Sequence, residues 1–111
     1  MIDVLLVCGR DGSIKSCNAS GHAGFAAKGK DIVCAAVSSL LRTAVQVLER
    51  TDGAVIETEI PSRGNLAFSV EDCGGSGNTE RLVCTADFIR EGINALSTEY
   101  PRCVQLREQT E

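Results

Sequence analysis

From Ile32 to Arg50 the chain has neither proline nor glycine, and Val33, Val37, Leu40, Leu41, Ala44, Val47 and Leu48 recur at helical spacing. A helix with that stripe cannot stand alone in water, so the remaining segments have to supply a surface that covers it. Thr51-Asp52-Gly53 stops it. Asp11-Gly12 is a two-residue hairpin signal between the strand 2–8 and a returning strand 13–22. With that turn Leu6 faces Cys17, Val4 faces Ala19 and Ile2 faces Gly21. Ile2, Val4, Leu6, Cys8, Cys17 and Ala19 then share one apolar face, and His22 emerges at the far end of the second strand. Residues 54–60 alternate, with Ala54, Ile56, Thr58 and Ile60 on one side and Val55, Glu57 and Glu59 on the other. Pro61 to Asn65 reads as a turn, and Leu66, Phe68 and Val70 mark the strand that returns. The linker 72–77 is too glycine-rich for regular structure and is expected to be flexible. A second helix over 79–100 repeats Leu82, Ala86, Ile89, Ile93 and Leu96 at steps of four and three. Pro101 ends it, and residues 103–106 suggest a short last strand before a polar tail. The order is ββαββα(β): an α+β fold, one domain over 1–111, with two helices packed on a mostly antiparallel or mixed sheet.

The 111 residues suffice for one core, since a chain of this size buries about two-thirds of its unfolded surface. With no tryptophan and only three phenylalanines, that core is built from Val, Ile, Leu and Ala. A net charge of −4 argues against direct nucleic-acid binding, which scales with phosphates neutralised by Lys and Arg; it suits a basic peptide. No apolar run is expected to reach the roughly 20 residues of a membrane span. Asp3 stands where a signal peptide carries base. These features lead to an expectation of a cytoplasmic protein with no membrane contact. None of the six cysteines forms a C-x2-C or C-x4-C pair, so a zinc site is not expected; no cofactor or other metal is expected either. All but Cys34 read as reduced thiols, most of them buried. Exposed sheet edges usually need covering, which makes dimerisation plausible.

The chemistry concentrates in residues 21–38. Asp31 is a good N-cap for the long helix, which makes Cys34 its third residue. There the positive end of the helix dipole favours the nucleophilic thiolate. Lys28 and Lys30 add positive potential, and Ser38 lies one turn beyond Cys34 on the same face. His22 precedes Cys34 by twelve positions, a reach of about 40 Å when extended. Glycines at 24 and 29 give the segment the freedom of a lid. A cysteine with a histidine base is the minimal kit for attack on an amide carbonyl. Gly24 to Lys30 also fits the phosphate-loop pattern G-x-x-x-x-G-K. Asp31, however, stands where the magnesium-binding Ser or Thr belongs, and its charge repels phosphate. The C-x5-R pattern of cysteine phosphatases fails, because Leu40 occupies the arginine position.

Gly21-His22-Ala23, a short glycine-bearing loop, and then Gly29 through Ser38 resemble the signature of the ribosomal-processing cysteine protease (Prp) family. Length and element order are also similar. The resemblance implies a catalytic dyad of His22 and Cys34, with Asp31 and Ser38 matching the rest of the signature. It further implies removal of the N-terminal extension from a large-subunit ribosomal protein precursor, and a homodimer. The competing readings are a non-enzymatic ribosome-associated interaction module and, behind it, a nucleotide-binding protein.

Overall fold

β1 (Ile2–Cys8) and β2 (Ile14–Gly21) form the expected hairpin, with Leu6 opposite Cys17, Val4 opposite Ala19 and Ile2 opposite Gly21. The turn that joins them differs from the two-residue one expected. The Gly9 amide donates to the Ser13 carbonyl at 2.8 Å and the Gly12 amide to the Gly9 carbonyl at 3.0 Å. The loop is therefore Arg10-Asp11-Gly12, with Gly12 in the left-handed region at φ 87°. Asp11 Oδ1 accepts from the Ser13 amide at 2.9 Å and the Ser13 hydroxyl at 2.6 Å. Pairing then jumps from Cys8–Ile14 to Val7–Ser16, which leaves Lys15 as a bulge. The extra loop residue and the bulge cancel, so the register downstream is the one the sequence indicated.

The computed structural model describes residues 1–21, 29–62 and 65–111. After the hairpin come α1 (Gly29–Glu49), β3 (Val55–Ser62), β4 (Asn65–Asp72), α2 (Thr79–Glu99) and β5 (Val104–Thr110). The sheet order is β3-β4-β2-β1-β5. β5 runs parallel to β1, whereas the other pairs are antiparallel, so the sheet is mixed. Pro61 and Ser62 belong to β3 and Asn65 to β4, leaving Arg63 and Gly64 of the expected turn outside the described residues. Pro61 is tolerated because β3 is an edge strand.

β5 extends past Leu106 through residues expected to be a polar tail. An outer edge strand buries little, so its far half carries no apolar alternation. It is held instead by Arg107, whose Nη2 lies 2.7 Å from Asp3 Oδ2 on β1, and by Arg90 of α2, whose Nε lies 2.7 Å from Glu108. The linker before α2 is likewise fixed rather than loose. Asn78 Nδ2 donates to the carbonyls of Asp52 and Cys73, each at 2.8 Å, and Ser76–Asn78 closes a 3-10 turn. Gly74, at φ 82°, has no room for a Cβ against the Asp52 carbonyl.

Both helices lie on one face of the sheet. Val4, Leu6, Ile14, Leu41, Leu48, Ile89 and Ile93 are 0% exposed at the centre of the core, where each buried Leu or Ile contributes about 1.5–3 kcal/mol. Val45 joins the buried stripe of α1, while Val47 faces outward. By length and composition alone Ile32–Glu49 is apolar enough to cross a membrane, which corrects the expectation that no such run exists. Val33, Val37, Leu41, Ala44, Val45 and Leu48 are nevertheless buried in this core, as in a helix packed on a sheet. The helices meet where Leu40 of α1 sits on Gly92 of α2; a Cβ there would run into the Leu40 side chain.

Candidate active site

α1 begins at Gly29, three residues before the expected start. A glycine disfavours helix by only about 1 kcal/mol, so it does not bar a first turn. Asp31 is thus the third helical residue rather than the N-cap, and Cys34 the sixth rather than the third. In a helix with this start the free amides are those of the first turn, and the Cys34 amide is spent on the carbonyl four residues back. The dipole field fades within that first turn. Cα–Cβ bonds tilt toward the N-terminus, which leans the Cys34 side chain back over it.

Cys34 is half-buried and packs against the core, one side of it open. Ser38, on the same face, accepts at its Oγ from Arg42 Nε at 3.2 Å. Cys34, Ser38 and Arg42 follow at steps of four, so they share one stripe of α1.

β2 ends at Gly21, immediately before His22. Gly21 has φ 102°, and a Cβ on it would strike the Met1 carbonyl. Only glycine fits where the chain leaves the sheet. His22 itself, Lys28 and most of the Gly24–Lys30 phosphate-loop motif lie outside the described residues.

The six cysteines are all free. Burial pushes the Cys17 thiol up to about 12. It also raises Cys8, against the lowering influence of Arg90. Cys103 is buried too, while Cys73 and Cys84 are exposed. Among the described residues, no three His, Cys, Asp or Glu side chains converge on a metal position.

The sequence reading did not anticipate an open groove of about 260 Å³ between α1 and the β3–β4 pair. Val45 and Leu66, both buried, form its floor, and Ile60 and Thr58 one wall. Arg42, Gln46 and Glu49 of α1 supply the polar rim. β3 follows α1 after the short connection 50–54 and packs along it, which brings these distant segments together. The available signal was Ile60, an apolar residue beside the proline of an edge strand.

A family model described as cysteine protease Prp matches residues 1–105. The ribosomal processing cysteine protease Prp of Mycoplasma pneumoniae is 34% identical over 92 residues, covering 82% of this chain and 84% of that protein. A crystal structure from Streptococcus mutans superposes with a TM-score of 0.80 at 26% identity, covering 100% of this chain and 96% of that one. The essential ribosomal processing protease Prp from S. aureus, solved with a covalently linked product peptide, gives a TM-score of 0.80 at 19% identity. That alignment covers 98% of this chain and 100% of the other, and what it shares is the fold.

Proposed function

The chain belongs to the Prp family of cysteine proteases, and on that premise we propose that Cys34 and His22 are its catalytic dyad. The proposed substrate is the precursor of a large-subunit ribosomal protein, from which the enzyme removes the N-terminal extension. The proposed setting is the cytoplasm, with the enzyme acting as a homodimer.

The observation that carries the dyad is the contrast among the cysteines. Cys8, Cys17 and Cys103 are sealed in the core, and the exposed Cys73 and Cys84 belong to the linker after β4 and to α2; Cys34 is half-open on the helix that follows the His22 segment. His22 takes the proton from Cys34 Sγ as sulfur attacks the scissile carbonyl carbon. Collapse of the tetrahedral intermediate expels the amine, which receives that proton from the imidazolium, and leaves a thioester. Water, deprotonated by His22, then hydrolyses the thioester; the proton returns to sulfur. The free amides of the first turn of α1, toward which the Cys34 side chain leans, are the oxyanion donors in this scheme.

The test is incubation with an extension-bearing ribosomal protein, the products weighed by mass spectrometry. Cys34→Ala and His22→Ala are each expected to slow cleavage by about a thousandfold or more. Cleavage by Cys34→Ala at the wild-type rate ends the proposal. Tight binding without cleavage, indifferent to Cys34, identifies the non-enzymatic module instead.

A further inference from the structure

We infer that the groove between α1 and the β3–β4 pair receives one large apolar side chain of the peptide substrate, about four to five residues from the bond that is cut. This rests on the protease reading of Cys34. The groove opens on the helix that carries that residue. Arg42 at the rim and Val45 in the floor lie eight and eleven positions beyond Cys34, about 12 and 16 Å along the axis at 1.5 Å per residue. An extended peptide advances about 3.3 Å per residue, so about four to five residues span those distances.

Three features select an extended peptide as the occupant. Among the described residues no strand pairs with the outer edge of β3, so its free amides and carbonyls can take an added strand. The floor of Val45 and Leu66 with the Ile60 wall is apolar, and about 260 Å³ holds a side chain rather than a folded domain. Arg42 donates to Ser38 and, among the described residues, pairs with no carboxylate, leaving guanidinium N–H groups for peptide carbonyls. Ile60 is 45% exposed, an apolar side chain left half in water beside this floor.

The experiment uses a peptide library built on the N-terminal segment of the ribosomal-protein precursor, with each position varied in turn. Cleavage is read with the wild-type protein, and binding by fluorescence anisotropy with Cys34→Ala. Ile60→Asp and Ile60→Lys, made in both backgrounds, alter a side chain whose exposure leaves the core intact. The wild type is expected to prefer a large apolar residue at one position about four or five from the cut. Ile60→Asp is expected to weaken that peptide about tenfold or more, the worth of one buried aliphatic side chain. It should also shift the preference at that position toward lysine, and Ile60→Lys should shift it toward Asp or Glu.

Identical preferences in all proteins overturn the inference. So does a change in sedimentation with unchanged peptide preference, which assigns the groove to a second copy of this chain. If the groove variants shift binding to Cys34→Ala while the wild type cuts no peptide, the groove stands and the protease reading falls.

Discussion

α1 and α2 have the same length, 21 residues each, and cover the same face of one sheet, yet they are held differently. α2 is tied at both ends and in the middle. The Asn78 side chain at its start bonds two carbonyls of neighbouring loops, Arg90 bridges Asp87 and Glu108, and the Tyr100 amide closes on the Leu96 carbonyl at 2.7 Å. α1 is secured at its far end by its neighbour. Arg81 of α2 donates to Thr51 Oγ1 at 2.7 Å and to the Val47 carbonyl at 3.3 Å, a cation at the negative end of the dipole. At its near end Ile32 stands 61% exposed, two residues before the half-open Cys34. Each helix buries one stripe in the core, but the near end of α1 leaves an isoleucine and a sulfur open where the centre of α2 is closed.

That contrast is breakable by substitution. Ile89→Ala in α2 removes a side chain that is 0% exposed and should cost about 2–5 kcal/mol in denaturant unfolding. Ile32→Ala in α1 should fall within about 0.5 kcal/mol, as exposed positions do. Comparable losses at the two sites would erase the distinction. Gly92→Ala comes next: its Cβ collides with Leu40, and an overpacked helix contact costs about 1–3 kcal/mol. Adding Leu40→Ala should recover part of that loss, because the two residues share one contact. Simple additivity would place the strain elsewhere.

The hairpin and the second helix were readable because local pattern and tertiary need coincide there. Ile2, Val4 and Leu6 alternate against Cys17 and Ala19, and Leu82, Ala86, Ile89 and Ile93 keep helical step. The start of α1 was misread because Asp31 has the chemistry of a cap, and nothing in the local sequence shows that the turn before it is already helical. Spacing puts Ser38 on the face of Cys34, but it does not reveal that Arg42, one turn further, donates to the hydroxyl. The Gly74-Gly75 linker looked loose because its restraints come from Asp52 and Asn78, which sequence separates. The groove was invisible for the same reason, its walls lying in residues 42–49 and 58–66.

The account turns on Cys34 as a thiol that His22 makes reactive. Its most direct test is alkylation of the folded protein with a limiting haloacetamide, followed by peptide mapping of all six cysteines over a range of pH. The account predicts that Cys34 is modified ahead of the exposed Cys73 and Cys84 at neutral pH, and that His22→Ala removes the lead. Equal rates at the three positions, or a lead for Cys34 that survives His22→Ala, would contradict it.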